Sequence, residues 1–306
     1  MRPLQDLLVV DLTRYLPGPF ASRELLELGA RVVRLLPPEG DPMERLAPAW
    51  HRALNEGKES VFVDLKADPK AGRDLCAEAD VVLESFRPGV VDRLGVGPTA
   101  LPESVVYCSF TGFGRAGRHE TRAGHDLNYQ GYAGLLADTA PAMPSTQVAD
   151  LAGGALMAVT RILAALLGRE RSGRGAHIVV SLTHGAHRLV AHRLGGEPIS
   201  CLLTGGLACY GIYATADGRH LTVAALESHF FARLCELLEL PQLPRLQYDP
   251  ERQEEVAASL ARRIASKPLA TWLELLETED VSVGPVATLE EAAAEFACTC
   301  PDSGRG

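Results

Sequence analysis

The sequence predicts an α/β protein: a doubly wound parallel sheet followed by a smaller α+β unit. Three observations carry this expectation. Short apolar runs alternate with amphipathic segments from Leu7 to Leu182, the pattern changes character at Gly205-Gly206, and a hairpin signal stands just beyond that change. Strands separated by helical segments are the mark of a parallel, Rossmann-like sheet, because each crossover to a parallel neighbour needs a helix to return over the sheet face.

The elements follow in order. Leu7 to Leu12, Arg31 to Leu36, Val61 to Leu65, Val81 to Ser85 and Val105 to Phe110 have the length and branched apolar content of buried strands, with helical periodicity between them. Leu151 to about Gly168 reads as a long helix closed by the basic turn Arg169 to Gly175, then a strand from His177 to Leu182 and another helix. Gly195-Gly196-Glu197-Pro198 reads as a linker. Tyr210 to Thr215 and His220 to Ala225 flank Ala216-Asp217-Gly218, a turn suited to a hairpin, and helices run on to about Glu279. The expected organisation is a large domain over 1–185, a linker over 186–204, a small domain over 205–292 and a tail over 293–306.

Composition narrows the function classes. At 306 residues, 46% hydrophobic and 23% charged, the chain can bury two cores. A net charge of −9 argues against nucleic acid and anionic membrane as partners, since both are held by clustered Lys and Arg. Seven cysteines without a repeated spacing suggest free thiols and a cytoplasmic location. Cys298-Thr299-Cys300 has no second pair, so no metal site is expected there. The N-terminus lacks the basic segment and cleavage site of a signal peptide, and Leu151 to Leu167, interrupted by Thr160 and Arg161, reads as a buried helix rather than a membrane span.

Two segments carry the chemistry. Gly124-His125-Asp126-Leu127-Asn128-Tyr129 and Val148-Ala149-Asp150-Leu151-Ala152-Gly153-Gly154 place an imidazole and a carboxylate at the starts of two helices. Histidine exchanges protons near neutrality with little tuning, whereas an aspartate must first be desolvated or held by neighbours. Two such groups suit proton transfer on opposite faces of a carbon acid, although Asp150 is equally a good helix N-cap. Gly112-Phe113-Gly114-Arg115-Ala116-Gly117 spells a dinucleotide-loop pattern, but Arg118 to Arg122 is no apolar helix, so a turn is expected. His184, His187 and His192 share a helix without stacking on one face or an adjacent carboxylate, which speaks against a metal site.

Taken in order, Asp11-Leu12-Thr13-Arg14, Gly18-Pro19-Phe20, Gly29 to Val33, Asn55 with Gly57-Lys58, Asp64-Leu65-Lys66, Phe86-Arg87-Pro88-Gly89-Val90 and Thr111-Gly112-Phe113-Gly114 resemble the class III CoA-transferase (CaiB/BaiF) superfamily, from the first strand to about Glu290. The His125 segment, and Tyr213 through Ala216-Asp217-Gly218 to Phe230, are similar to its α-methylacyl-CoA racemase branch. The resemblance implies that His125 and Asp150 are the two proton carriers on either face of the α-carbon of a 2-methylacyl-CoA, and that Asp126 and Glu227 hold and orient the histidine. It further implies Arg87 and Lys58 as CoA phosphate contacts, and Tyr129 as a wall of the acyl site. Gly153 and Gly154 would let substrate approach a backbone oxyanion site around Asp150 to Gly153. No cofactor is implied beyond the CoA of the substrate. A homodimer is implied, with the two chains interlocked.

Departures from the family pattern are Pro37 in place of an arginine, Glu56 and Glu59 around Lys58, and an end soon after Val286 to Glu291; the last implies a more open ring or cover from another chain. Two other functions stay open at this point. One is a CoA-transferase working through an aspartyl-CoA intermediate on Asp150; the other is an inactive acyl-CoA binding homologue.

Overall fold

The computed structural model describes residues 2–195, 202–276 and 278–296. Six parallel strands, β1 (Leu8–Asp11), β2 (Arg31–Leu36), β3 (Glu59–Phe62), β4 (Val81–Glu84), β5 (Val106–Thr111) and β6 (His177–Ser181), lie in the order β3-β2-β1-β4-β5-β6. The chain winds outward from β1 to β3 and then returns to the other side of β1, where β4 pairs with it through Val9↔Val81 and Asp11↔Leu83. The crevice beyond the carboxyl ends of β1 and β4 is therefore the point at which the winding reverses, the place where open α/β sheets bind ligands.

Alternate strand residues face two cores, as the period of two requires. Val9, Val32, Leu83, Val106 and Phe110 pack with Leu25 of the helix Pro17–Glu27 and Ile162 of the helix Met157–Ser172; Val10, Leu35, Val82 and Tyr107 pack on the other face. The expected strands are found, with one correction. The third lies at Glu59–Phe62 rather than Val61 to Leu65; it is the edge strand beside β2, and all its residues are exposed. Glu59 there takes the Arg31 guanidinium, Nε to Oε1 2.8 Å, and Asp64 Oδ1 accepts the Lys66 N–H in a turn that ends the run.

The helix from Val148 to Ser172 is long and apolar enough to cross a membrane by length and composition alone. Here Ala155, Ala158, Ile162 and Leu166 are buried against the sheet, and Arg169 pairs with Asp80 at 2.9 Å. Its Leu151–Leu156 portion is a π-helix, a form that concentrates at functional sites.

The chain divides into two compact units, Met1–His192 and Arg193–Gly306. The start of the expected linker is instead helical. Leu182–Val190 is a helix with Leu182, Gly185 and Ala186 buried, and Ala191–Gly195 continues it as a 3-10 turn, because this segment packs on the π-helix before it can leave the unit. Residues 196–198 of that linker, Cys201, Cys298, Cys300 and the tail beyond Phe296 lie outside the described residues. Cys76, Cys108, Cys209 and Cys235 are buried free thiols.

The second unit carries the expected hairpin, β7 (Tyr210–Ala214) and β8 (His220–Ala224), joined by a turn in which Thr215 Oγ1 donates to Asp217 Oδ1 at 2.5 Å. A third strand, β9 (Val283–Pro285), pairs antiparallel with β8; at three residues it has too little pattern to be read from sequence. The helices Ser228–Leu237, Gln253–Ile264 and Leu269–Leu276 close this core around Phe231, Leu234, Leu260 and Trp272.

Candidate active site

A cleft of about 670 Å³ opens beyond the carboxyl ends of β1, β4 and β5. It is lined by residues that follow each strand, among them Arg14 and Tyr15, Arg87, and Gly112, together with His125, Tyr129 and Asp150.

The turn after β1 is built on a buried carboxylate. Asp11 Oδ1 accepts the Thr13 N–H at 2.8 Å and the Thr13 hydroxyl at 2.5 Å, and Oδ2 accepts the Ser22 hydroxyl. Lys58, whose side chain is fully buried, donates from Nζ to Pro19 O (2.8 Å), Ser22 Oγ (2.8 Å) and Asn55 Oδ1 (3.0 Å), 4.0 Å from Asp11 Oδ2. Burial pushes its ammonium down to about 8 against the opposing pull of Asp11. The expectation that Lys58 meets a CoA phosphate is therefore corrected. All three ammonium protons are spent inside the fold, where they tie the helix Pro17–Glu27 to the segment before β3.

Tyr15 leaves this turn with φ of 70°, a left-handed backbone unusual for a bulky side chain and costing about 1–3 kcal/mol. Its ring stands edge-on to that of His125, centroids 6.4 Å apart and planes at 88°. No sequence signal announces it, since tyrosine is seldom found in that conformation.

His125 is the extended residue before the helix Asp126–Ala133, and its N–H donates to Asn128 Oδ1 at 3.1 Å. The imidazole is exposed at the rim. Asp126 is buried, and its carboxylate is turned to the second segment: Oδ1 accepts the Asp150 N–H at 2.9 Å and Oδ2 accepts Gln130 Nε2 at 2.5 Å. Gln130 Nε2 also reaches Thr146 O at 3.1 Å. The assignment of Asp126 to orienting the histidine is thus corrected: its hydrogen bonds position Asp150. Glu227 precedes the helix Ser228–Leu237 in the second unit, with an extended backbone and no side-chain capping bond.

Asp150 is half-buried and its carboxyl is pushed up to about 7, chiefly by burial and secondarily by the negative charge of Asp126. This is the strongest electrostatic feature of the cleft, the kind of shift that marks proton-transfer sites. Two of the amides expected to form an oxyanion site here are occupied: the Asp150 N–H goes to Asp126 and the Leu151 N–H to Gln147 O at 2.9 Å. Gly153 and Gly154 are also corrected. A Cβ on Gly153 would sit 2.5 Å from Ala186 N, one on Gly154 would overlap Leu182 Cδ2, and one on Gly185 would overlap the Gly153 carbonyl oxygen. These glycines allow the π-helix and the helix Leu182–Val190 to cross backbone to backbone; substrate access is not what they serve.

Tyr129 lines the cleft, donates its hydroxyl to Gly124 O at 2.5 Å and packs on Phe113 with centroids 5.3 Å apart. Burial, with Asp150 and Asp126 nearby, pushes its phenol up to about 12. A Cβ on Gly112 would meet the Tyr129 ring at 2.6 Å, so the first glycine of the Gly112–Gly117 pattern makes room for an aromatic side chain. Arg87 is exposed on the cleft wall. His184 Nδ1 lies 2.8 Å from Ser181 Oγ and His187 Nδ1 lies 3.0 Å from Ala133 O, and among the described residues no group of three His, Cys, Asp or Glu side chains could hold a metal ion.

The profile of "CoA-transferase family III" matches residues 4–298. The chain is 35% identical to an alpha-methylacyl-CoA racemase of Mus musculus over 94% of its own length and 79% of the racemase. It is 32% identical to an acetyl-CoA:oxalate CoA-transferase of Acetobacter aceti over 95% of its length and 82% of that enzyme. Among solved structures, a CaiB/BaiF family protein from Brucella suis superposes with a TM-score of 0.81 at 29% identity, covering 99% of this chain and 88% of that one.

Proposed function

The chain belongs to CoA-transferase family III, and we propose that within it the protein is a racemase or epimerase of 2-methylacyl-CoA thioesters, moving the α-proton between His125 and Asp150. The observation that carries this reading is the pairing, in one cleft, of an imidazole with a carboxyl held at about 7. A carboxyl so placed is partly ionised at neutral pH and serves as base in one direction and as acid in the other. One group takes the α-proton, an enolate forms, and the second group delivers a proton to the opposite face. The proton count of the site is the same before and after, so the reaction written this way calls for no cofactor.

The enolate oxygen needs a donor. In the helix Asp126–Ala133 the first-turn N–H groups of Asp126 and Leu127 have no intrahelical acceptor, and they follow His125 directly. We assign the oxyanion to this helix start in place of the occupied amides at Asp150 and Leu151. Glu227 as a partner of His125, an acyl-CoA as substrate and a homodimer remain part of this proposal.

One enantiomer of a 2-methylacyl-CoA, incubated with the protein in deuterated water and no second acid, is expected to gain deuterium at the α-carbon with loss of optical purity. Absence of exchange, together with CoA transfer to an added carboxylic acid and a hydroxylamine-trappable adduct on Asp150, would establish the transferase reaction instead, which the similarity to the oxalate enzyme keeps in play.

The Asp126 contact makes a second expectation. Asp126→Asn removes a charge that holds the Asp150 carboxyl up, so the pKa of Asp150 falls. Proton abstraction by Asp150 needs the ionised form and rises with pH through that pKa, so its limb in the pH profile should move to lower pH. A limb that stays in place, with weakening confined to the His125-dependent direction, would return Asp126 to the role first expected of it.

A further inference from the structure

Arg14 lines three cavities at once: the reacting cleft, a second of about 590 Å³ bounded by Glu39 to Arg45, and a third of about 330 Å³ walled by Leu12, Leu35, Val63, Leu65 and Phe86. It is half-buried, and its guanidinium makes no hydrogen bond or ion pair among the described residues. Its neighbours differ. Arg34 is buried against Asp41 at 2.5 Å, Arg31 takes Glu59, and Arg115 takes Glu84 at 3.1 Å. Glu39 and Glu44 line the second cavity with it, but neither pairs with its guanidinium, so this half-buried cation has lost hydration without a bonded counter-charge and its partner is to be sought outside the fold. Arg87, on the same cleft, likewise makes no side-chain hydrogen bond or ion pair among the described residues. The two arginines follow β1 and β4, which pair through Asp11↔Leu83, so they flank the crevice where the winding reverses. The Asp11–Thr13 turn fixes the backbone that carries Arg14.

We propose that Arg14, together with Arg87, clamps the diphosphate of the acyl-CoA. The inference rests on the acyl-CoA reading of the cleft and names the group that Arg14 recognises. Arg14 lines the cleft that holds Asp150 and both neighbouring cavities, so a ligand that reacts at Asp150 and extends into either one meets it between its two ends. In coenzyme A the diphosphate is that middle, between the pantetheine arm and the nucleoside. Two guanidinium forks offer paired N–H donors to its oxygens, which a lysine point charge does not.

The test is calorimetric titration of the full chain at fixed ionic strength with coenzyme A, dephospho-coenzyme A and an S-acyl pantetheine that lacks phosphate. Arg14→Ala is expected to weaken the first two alike, by about 10- to 100-fold, and to leave the third unchanged. Arg14→Lys should recover part of the loss, and thermal unfolding of each variant reports that the fold is intact. Equal weakening of all three ligands, or none, would overturn the proposal; weakening of coenzyme A alone would move the contact to the 3′-phosphate and overturn the diphosphate assignment. A wild-type chain that binds the pantetheine thioester but not coenzyme A would overturn the clamp alone. One that binds none of the three would remove the acyl-CoA reading, and the clamp with it.

Discussion

Asp150→Asn is expected to lower racemisation by about 10²- to 10⁴-fold while leaving α-proton exchange measurable for one enantiomer, and His125→Ala to leave it for the other. Each base serves one face, so removing one interrupts inversion in both directions but spares abstraction on the opposite side. Deuterium incorporation from each pure enantiomer, followed separately, distinguishes the halves. If each variant lost exchange of both enantiomers equally while still binding coenzyme A, the site would be working with one base. The same Asp150 substitution has a stability signature. The folded protein holds this carboxyl at about 7 against an ordinary 3.8, so between those values the native state keeps a proton that the unfolded chain releases. The contribution of this group to the parent's stability therefore falls as pH rises through that window and levels off above it. The amide that replaces the carboxyl does not ionise, so the variant should be the more stable protein above neutrality and the difference should close toward pH 4, as denaturant titrations across that range would show.

Gly185→Ala is expected to cost about 1–3 kcal/mol or more, because the added Cβ overlaps the carbonyl oxygen of Gly153 and neither backbone can yield without parting the two helices. The π-helix that would be displaced begins directly after Asp150, so proton transfer should suffer along with the denaturation midpoint. Gly168→Ala provides the contrast: nothing lies within 4 Å of a Cβ there, and a helical glycine replaced by alanine gains stability. Equal midpoints for the two variants would show that the close crossing carries no weight.

Much of this architecture is written in local pattern. Strands such as Arg31–Leu36 and Val106–Thr111 are legible because both faces of a parallel sheet are buried and nearly every position must be apolar. The hairpin at Asp217-Gly218 is legible because a left-handed glycine is a turn requirement, and Gly218 has φ of 75°. His125 and Asp150 are legible as candidate residues because their chemistry suits proton transfer and each stands at a helix start. Two strands are less legible: β3, exposed at every position, lies two residues before the run that marks it, and the three-residue β9 is recognised through its pairing with β8.

Partner choice divides along another line. The residue types of the candidate site, and the strands that deliver them, follow from order and periodicity along the chain, which act over a few neighbours. Which group each one serves depends on distances between segments far apart in sequence. Lys58 looks like a free cation until Pro19, Ser22 and Asn55 surround it. Asp126 follows a histidine but bonds to an amide 24 residues on. Gly153 and Gly154 suggest an open backbone until the helix at Gly185 fills the space. A side chain's charge and shape are properties of its position in the chain, whereas its desolvation and its hydrogen-bond partners exist only once packing has closed around it, and it is those that raise the Asp150 carboxyl and leave Arg14 without a partner among the described residues.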